Sequence, residues 1–408
     1  MSKSKLLICS QVYWPDTSSV SQHLSDLCEY LVSNGWQLRV ISSALPYEDQ
    51  KGSFKAFEVY QGVEIERLKH AKFSKKSTFG RLCTFFSFQL ALFIKLLFKS
   101  KSHYDYLLVT SVPPLLPFVV AFIAKIKNKK VLYWALDIQP HLALATGLIK
   151  ERSLKAFILK VCNKFTLNNI KSALTLDKEM KQTLAKDGLK DSQIHICPVW
   201  PVLLRECHYN RINNPFRLKN HWGEKQIIMY SGNFAYCHSL ETILLTSQKL
   251  INYPHFHFVF IGGGSQLQRV KNHERNQDNL VHYPFQKRED LHLSLGASDY
   301  QVVVMGDETL GLSHPNKIYA AMLAKKVIIY VGPQKSFIAK HLENCPGNIL
   351  VCHGEVDLLI EKLIHLDQNR DQLSAIANQN YHYAKEYFDE KVLKEKMLKW
   401  VNTLKDEN

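Results

Sequence analysis

The stretch His314-Pro315-Asn316-Lys317-Ile318-Tyr319, which follows Gly306-Asp307-Glu308-Thr309-Leu310-Gly311-Leu312-Ser313, decides the fold of this chain. It comes after an apolar, strand-like run, Tyr300 to Met305, and before a helix-like run, Ile318 to Leu323. A polar turn between a strand and a helix N-terminus suits a phosphate, because backbone N–H groups and the helix dipole face the anion. Pro315 loses no needed hydrogen bond at the start of a helix, and Lys317 supplies a point charge. The alternative is an ordinary strand-to-helix loop with a surface lysine.

Two glycine-containing strand ends precede this turn in the same half of the chain. Ile227 to Gly232 reads as a strand that ends in a tight turn, with Asn233 and His238 following. Phe256 to Ile261 is another apolar run, and Gly262-Gly263-Gly264-Ser265 follows it. Ligands of open α/β sheets bind at the carboxyl ends of strands, so the three strand ends can converge on one crevice. Glycines also serve turns and packing, so the glycine run alone does not decide this.

Alternating strand and helix patterns along the whole chain predict an α/β fold. Leu6 to Ser10, an amphipathic helix closed by Asn34-Gly35, and Leu38 to Ser43 form a first βαβ unit. Continuous Val, Ile and Leu runs favour parallel sheets covered on both faces. The further strands are expected at 63–68, 106–111, 131–136, 173–177 and 194–198, and then at 226–231, 256–261, 280–284, 300–305, 326–331 and 348–352. Residues 198–222, which begin Pro-Val-Trp-Pro, read as a linker between two halves.

The order and spacing of five motifs resemble family 4 retaining glycosyltransferases, in the branch that builds exopolysaccharide, capsule and O-antigen and includes fucosaminyltransferase-like enzymes. The motifs are Tyr13–Asp16, Trp134–Pro140, Tyr230–Asn233, Gly262–Ser265 and His314–Tyr319. The resemblance implies the GT-B architecture, with two Rossmann-like doubly wound domains facing across a cleft. It implies an acceptor domain at 1–200, a nucleotide-sugar donor domain at 201–385 and a C-terminal helix, 386–408, that crosses back to the first domain.

The chain departs from the broad family pattern in four places. It replaces the paired glutamates and the glycine pair after the first strand. It also replaces the Arg/Lys pair that holds the diphosphate and the Asn before the interdomain Trp. The matching positions hold Leu312 and Ala320, then Ser18 and Ser19, then Tyr236, Cys237 and His238, and finally Val199.

The resemblance assigns the donor site to the second half. Glycosyl transfer builds negative charge on the leaving phosphate, which a cation or dipole must stabilise. Lys317, His238 and the helix starts near Gly264 and Asn316 are the candidate groups. His314 is a candidate for a sugar hydroxyl or the diphosphate, and Glu308 for a sugar hydroxyl or the ribose, with a solvated loop acid as its alternative. Phe285 and Gln286 are base-site candidates, although Phe285 equally suits a core.

In the first half, Ser18 and Ser19 are expected to donate hydrogen bonds toward the donor where relatives use glycine N–H groups. Asp137 is expected to contact sugar or acceptor, or to accept the acceptor proton. A helix N-cap is the alternative for Asp137. No metal is expected, because no Asp-x-Asp signature is evident, and no cofactor is expected besides the donor substrate, a UDP-sugar by the resemblance.

The formal net charge of +15 favours anionic partners. Residues 67–101 contain nine Lys and Arg side chains and no acid. Within them Leu82 to Ile94 is uncharged and rich in Phe and Leu, but shorter than the about 20 apolar residues that span a bilayer. This pattern predicts a segment that lies on an anionic membrane surface. A buried helix with solvated lysines is the alternative, and no nucleic-acid motif is present.

Together with this pattern, the resemblance implies a cytoplasmic enzyme on the inner face of the cytoplasmic membrane, acting on a polyprenyl-diphosphate-linked or polysaccharide acceptor. Nine unpatterned cysteines fit a reducing compartment, and no signal peptide precedes Gln11. A GT-B sugar-nucleotide epimerase, a catalytically inactive glycan- or protein-binding module and a basic nucleic-acid binder stay open as alternatives.

Overall fold

The chain folds into two compact units. The computed structural model describes residues 4–46, 52–73, 78–100, 103–201 and 211–405, without the side chains of 78 and 79. The first unit comprises Met1–Pro198, Gly311–Ser313 and Lys391–Asn408, and the second comprises Val199–Leu310 and His314–Glu390. Each unit is built on its own sheet, so the α/β class that the sequence predicts is confirmed.

The first unit contains an eight-stranded sheet. Its strands are β1 (Lys5–Cys9), β2 (Gln37–Ser43), β3 (Phe57–Tyr60), β4 (Val63–Leu68), β5 (Tyr106–Thr110), β6 (Lys130–Trp134), β7 (Ser172–Thr175) and β8 (Ile194–Ile196). The strand order is β3-β4-β2-β1-β5-β6-β7-β8. All neighbours are parallel except β3 and β4, which are antiparallel.

Six helices cover this sheet along the N-terminal part of the chain. They are α1 (Ser19–Ser33), α2 (Thr78–Phe98), α3 (Leu116–Lys127), α4 (His141–Ala145), α5 (Leu154–Asn168) and α6 (Lys178–Lys186). Six of the seven strands expected here occur within one or two residues of their expected ends. The seventh, β4, has the expected bounds.

The hairpin strand β3 was not expected. It pairs with β4 through a tight turn in which Gln61 and Gly62 both have positive φ, 49° and 76°. Two consecutive positive φ angles characterise the turn that matches the twist of a two-residue hairpin. The Gln-Gly dipeptide was therefore the available signal, but it is weaker than Asn-Gly or Asp-Gly.

The second unit contains a six-stranded, all-parallel sheet. Its strands are β9 (Gln226–Asn233), β10 (Phe256–Gly263), β11 (Leu280–Tyr283), β12 (Tyr300–Val304), β13 (Val327–Val331) and β14 (Ile349–Val351). The order β11-β10-β9-β12-β13-β14 reverses direction between β9 and β12. Loops leaving β9 and β12 therefore diverge at the switch point, where doubly wound sheets bind ligands.

In the described part of this unit there are eight helices. They are α7 (Pro215–Lys219), α8 (Glu241–Lys249), α9 (Leu267–Glu274), α10 (Leu291–Gly296), α11 (Lys317–Leu323), α12 (Phe337–Glu343), α13 (Val356–Gln368) and α14 (Asp371–Tyr387). Fully buried aliphatic and aromatic side chains from the strands and from α8 and α13 fill the space on one face of the sheet.

The end of the expected linker is part of the second unit. Residues 202–210 lie outside the described residues. Beyond them Asn214 caps α7, and the buried Arg217 donates hydrogen bonds to the Ala297 carbonyl oxygen and to Asp299. A buried guanidinium needs such partners. The polar composition of 211–222 was read as a linker because those partners are distant in sequence.

The chain ends in α15 (Glu390–Asn402), which packs within the first unit. The indole Nε1 of Trp400 donates to the Ser172 Oγ atom at 2.9 Å, and that of Trp36 donates to Asn402 at 3.2 Å. Two buried indole N–H groups are thereby satisfied.

Helix α2 is longer than the apolar run Leu82 to Ile94 and spans 21 residues. Among the described residues, one segment, Gly80–Phe98, is long and apolar enough to cross a membrane by length and composition. Phe88, Leu92 and Leu96 on its inner face are fully buried in the first unit. The helix is apolar on both faces, so one face covers the core and the other is exposed.

Candidate functional site

Two strand-end glycines of the second unit, Gly262 and Gly264, lie where side chains would collide. A Cβ atom on Gly262 would lie 2.0 Å from the Gly232 carbonyl oxygen, and one on Gly264 would lie 2.3 Å from Asn233 Oδ1. Gly232, Gly262 and Gly264 have φ angles of 134°, 136° and 137°, which L side chains rarely adopt. The expected glycine residues at the ends of β9 and β10 are thus brought together, with Asn233 exposed beside them.

Lys317 points its amine at this glycine edge. Its Nζ atom lies 3.5 Å from the centroid of the Tyr230 ring and 3.4 Å from where a Gly232 Cβ would be. Within the described part of the chain this buried Nζ has no hydrogen-bond partner. Burial lowers the pKa of Lys317 to about 7, although nearby Cys237 opposes the shift. Since an unpaired buried ammonium is unfavourable, an anion that supplied acceptors here would be stabilised strongly.

His238 lies beside Lys317 but is not a second cation. Burial, with the Lys317 charge as a smaller cause, lowers the pKa of His238 to about 3. The imidazole is therefore neutral at pH 7, and the contact of His238 with the diphosphate stays a prediction. Its buried Nδ1 has no hydrogen-bond partner among the described residues. A neutral ring with a free nitrogen can still hydrogen-bond a ligand.

The loop that contains His238 is held from two sides. Gln266 donates to the carbonyl oxygens of Ala235 and His238 at 2.6 and 2.7 Å. The Gly306 N–H donates to the Cys237 carbonyl oxygen at 3.0 Å. The loops after β9, β10 and β12 are consequently tied into one structure. Gln266 was not singled out from the sequence, and Tyr230 was named only as part of the motif Tyr230–Asn233. Nothing in the local pattern marks a loop anchor or the ring beneath a lysine.

His314 faces its own helix rather than an open site. The His314 side chain is buried, and its Nε2 lies 2.7 Å from the Tyr319 hydroxyl oxygen. The two rings are stacked at 5.7 Å. The i, i+5 pair fixes the turn before α11, so the geometry gives His314 a positioning role. A direct ligand contact through Nε2 would require that hydrogen bond to break.

Helix α11 begins at Lys317, one residue before the expected helix-like run Ile318 to Leu323. Asn316 is the N-cap of α11 and Lys317 is its first residue, so Pro315 precedes the cap. The Asn316 side chain makes no cap hydrogen bond, and its buried Oδ1 has no partner within the described residues. Glu308 lies in the short 3₁₀ turn Asp307–Thr309 and is exposed. Its carboxylate lies over Gly306, 2.8 Å from where a Cβ would be.

Phe285 does not belong to the core. Its ring is 48% exposed, and its Cε1 and Cε2 atoms lie 3.3 and 3.4 Å from where Cβ atoms on Gly262 and Gly263 would be. A half-exposed aromatic face beside the glycine edge offers a stacking surface for a planar ring. The neighbouring Gln286 amide donates to the Pro284 carbonyl oxygen at 2.8 Å.

In the first unit Asp137 follows β6 at the carboxyl edge of the sheet. Its backbone N–H donates to the Ser111 Oγ atom at 3.1 Å. The N-cap of α4 is Pro140, without a side-chain cap, so Asp137 is not a helix cap. Burial raises the pKa of Asp137 to about 7. A carboxyl that titrates near neutrality can exchange a proton with a hydroxyl.

Ser18 and Ser19 have structural partners. Ser18 is the N-cap of α1, and its Oγ accepts from the Ser21 N–H at 3.3 Å. The Ser19 Oγ lies 3.3 Å from His23 Nδ1. Both hydroxyls stabilise the first turn of α1. The Ser18 hydroxyl accepts in this cap, so its proton stays available to a ligand.

No group of three or more His, Cys, Asp or Glu side chains that could hold a metal ion occurs within the described residues. The arrangement offers one unpartnered amine, a neutral imidazole, a glycine edge and an aromatic face in one unit. The other unit offers a carboxyl that titrates near pH 7. The groups of the second unit suit binding of a nucleoside diphosphate, and the carboxyl of the first unit suits proton exchange with a hydroxyl.

Comparison with known proteins agrees with this chemistry. No family model matches the chain. It is 23% identical over 366 residues to WcaI, a glycosyl transferase of colanic acid biosynthesis from Escherichia coli (strain K12), with 85% of this chain and 88% of that protein covered.

Solved structures share the fold over nearly the whole chain. Anabaena Alr3699/HepE in complex with UDP and glucose has a TM-score of 0.72 at 12% identity, covering 98% of this chain and 100% of that one. WaaG, a glycosyltransferase involved in lipopolysaccharide biosynthesis, has a TM-score of 0.70 at 13% identity, covering 96% of this chain and 98% of that one. The chain therefore has the two-domain GT-B fold of these glycosyltransferases and is similar in sequence to WcaI over most of its length.

Proposed function

We propose that this protein transfers a sugar, with retention of anomeric configuration and without a metal ion, from a UDP-sugar to a surface-polysaccharide acceptor. The acceptor is a polyprenyl-diphosphate-linked or growing chain of an exopolysaccharide, capsule or O-antigen. The enzyme acts in the cytoplasm, at the inner face of the cytoplasmic membrane. The hexosyl or N-acetylhexosaminyl class of the sugar belongs to this proposal.

The unpartnered Lys317 amine beside Gly232 carries the donor part of the proposal. Transfer breaks the bond between the anomeric carbon and a diphosphate oxygen, and that oxygen gains negative charge. An ammonium in a site with little water stabilises this charge more than it stabilises the neutral part of the donor. Lys317 can fill the role of the Arg/Lys pair that the chain lacks after Gly232.

The other groups take supporting roles. Phe285 offers a face to the base, and His238 and Asn316 offer unpartnered polar atoms to phosphate or ribose. Asp137 would accept or share the proton of the acceptor hydroxyl. The WcaI relationship supports the polysaccharide acceptor, and the UDP that Alr3699/HepE binds supports the choice of nucleotide.

Thermal-shift measurements with UDP, GDP, ADP, dTDP and CDP test the donor site. A ligand that binds only the folded state raises the melting temperature. We expect UDP to raise it, and Lys317→Ala to weaken UDP binding by about ten- to a hundredfold, as for loss of a charge-assisted hydrogen bond. Lys325→Ala is the matched control, since Lys325 also lies over a tyrosine ring, that of Tyr381, at 4.7 Å.

Turnover then separates an enzyme from an inactive binding module. Purified protein with UDP-sugars and a bacterial lipid extract should form a glycolipid whose new bond keeps the donor configuration, with EDTA having no effect. No nucleotide-induced shift, or a shift without transfer in any donor and acceptor combination, would favour the binding module. Loss of activity in EDTA and recovery with magnesium would contradict the metal-independent reaction.

A further inference from the structure

The first unit exposes an apolar surface much larger than the segment singled out from the sequence. On α2, Leu82, Phe86, Leu90 and Ile94 recur every four residues and are all exposed, Phe86 by 68%. A four-residue spacing places them on one face of the helix. We name the surface formed by this stripe and its continuation on α3 and α5 the three-helix apolar face.

The continuation runs through α3 to α5. The Phe122 ring of α3 lies 6.2 Å from Phe93 on α2 and 6.0 Å from Phe165 on α5. On α5, Phe157 and Ile158 are exposed by 66% and 49%. Soluble proteins rarely leave a contiguous apolar surface of this extent uncovered, and such surfaces mark interaction sites.

Charge identifies the partner. The three helices contain seven Lys and Arg side chains and not one Asp or Glu. Helical spacing places Lys155 on one side of the Phe157–Ile158 stripe and Lys164 on the other. Apolar side chains bordered by lysines fit a membrane interface, where the rings enter the acyl boundary and the amines reach anionic headgroups.

The same charge argues against other occupants. A second copy that docked through this face would bring cations against cations across an apolar contact, which is unfavourable. Nucleic acid would cover the lysines but would leave the phenylalanines against phosphates. An anionic lipid surface satisfies both the rings and the amines.

In the structure, some lysines of the basic segment are already held in ion pairs and are not free to contact headgroups. Lys95 and Lys99, both within the basic segment 67–101, are paired with Glu66. Lys155 and Lys164 have no ion-pair partner in the described parts of the chain, and both are exposed. Lys72 and Arg81 of the basic segment are also exposed, and Lys155 and Lys164 add cations on α5 that the sequence pattern did not indicate.

We propose that the three-helix apolar face binds anionic lipid bilayers by inserting Phe86 and Phe157, with Lys155 and Lys164 contacting headgroups. This inference rests on the membrane part of the proposed function and gives it a surface. It also predicts that α2 lies along the interface instead of crossing the bilayer.

Flotation with vesicles of phosphatidylcholine, with and without phosphatidylglycerol, tests the surface. The full-length protein should float with the anionic vesicles. The double variant Phe86→Ser and Phe157→Ser should bind them at least about tenfold more weakly, given the apolar area that two phenylalanines bury. Phe57→Ser is the matched control, because Phe57 is a 57% exposed phenylalanine of the first unit that lies on β3. It should float like the unchanged protein.

A second pair of variants tests the charge assignment. Lys155→Gln with Lys164→Gln should weaken flotation on anionic vesicles, whereas Lys95→Gln should leave it unchanged. Unchanged flotation of the phenylalanine variant, or equal effects of the two lysine sets, would overturn the proposal. Absence of flotation together with a concentration-dependent dimer that the phenylalanine variant abolishes would assign the face to a second copy.

Two further measurements on the same variants distinguish the membrane surface from the proposed reaction. They are UDP binding and sugar transfer to a detergent-solubilised acceptor. If the phenylalanine variant retains both and loses only flotation, the surface is supported independently of the reaction. If flotation behaves as expected but no donor is turned over, the surface stands and the proposed reaction fails. Retained UDP-induced stabilisation also shows that the variant is folded.

Discussion

The Lys317 Nζ atom lies 3.5 Å from the centroid of the Tyr230 ring and has no hydrogen-bond partner within the described residues. The ring partly compensates the ammonium through its quadrupole, but it cannot replace water. Burial therefore lowers the pKa of Lys317 to about 7. A lysine so placed is protonated in only part of the free molecules at neutral pH, and an incoming anion would favour its charged form.

Donor affinity should consequently depend on pH. A bound diphosphate raises the pKa of Lys317 above about 7, so binding takes up a proton above that pH. The affinity should be greatest below pH 7 and fall by up to about tenfold per pH unit above it. UDP-glucose is the right probe, because both its phosphates are esterified and do not titrate in this range. Calorimetry in buffers of different ionisation enthalpy would measure the proton uptake directly.

Lys317→Arg is the control for that measurement. A guanidinium stays charged throughout this range, so UDP-glucose affinity in this variant should be flat between pH 6 and 9, roughly within twofold. A wild-type affinity that is equally flat would contradict a titrating lysine in the donor site.

In the ligand-free protein, the contribution of Lys317 to stability should change with pH in the direction opposite to the donor affinity. The folded-state pKa of Lys317, about 7, lies below its ordinary value of 10.5. Between these values the unfolded chain holds the proton more tightly, so the contribution of Lys317 to stability increases as the pH rises from 7 to 10.5. Lys317→Met should therefore stabilise the protein more at pH 6 than at pH 9, by roughly 2 kcal/mol. Denaturant unfolding of both proteins at the two pH values measures this difference, and an equal effect would contradict the shifted pKa.

Much of the fold could be predicted because parallel strands are continuous apolar runs. Thirteen of the fourteen strands were expected, and β3 was not, because Phe57 and Val59 are exposed on an edge hairpin instead of buried. The interpretation of residues 211–222 as a linker missed the buried Arg217. Two of its acceptors, on Ala297 and Asp299, lie about eighty residues later in the chain.

Candidate site residues could be named from the sequence, but their protonation states could not. Gly262 and Lys317 could be named, since glycine and a basic turn at strand ends have a direct physical meaning. That His238 is neutral and that Asp137 titrates near pH 7 depend on burial, which only the packing defines. The exposed apolar stripe of α5 could not be recognised from the sequence either. Its apolar residues recur with the same helical spacing as those of a helix packed on a core.

Adjacent glycines at the end of β10 should differ sharply in their tolerance of a methyl group. Gly262→Ala would place Cβ 2.0 Å from the Gly232 backbone oxygen at a φ of 136°, so the ends of β9 and β10 would have to separate. Gly263→Ala would bring Cβ only to 3.4 Å from the Phe285 ring, which can move. We expect Gly262→Ala to lower the free energy of unfolding by about 2 kcal/mol or more, and Gly263→Ala by less than about 1 kcal/mol. Chemical denaturation of the two variants measures both, and a tolerated Gly262→Ala would contradict the close approach of the strands.

Asp137 should determine the acid side of the pH–rate profile. Burial raises the pKa of this carboxyl to about 7, so below that pH it is protonated and cannot accept a proton from the acceptor hydroxyl. The kcat/KM for sugar transfer should fall as pH decreases below 7, by up to about tenfold per unit. Asp137→Asn keeps the shape of the side chain but removes the titration, and it should lower kcat by about 10²- to 10⁴-fold and abolish the acid limb of what activity remains.

Two readouts separate this role from a structural one. The UDP-induced rise in melting temperature should be the same in Asp137→Asn as in the unchanged protein, because the donor groups lie in the second unit. Ser111→Ala is the positioning control, since Ser111 accepts the Asp137 N–H and does not titrate. That variant should lose some rate yet keep the acid limb at the same pH. An acid limb that persists in Asp137→Asn would mean that another group accepts the proton.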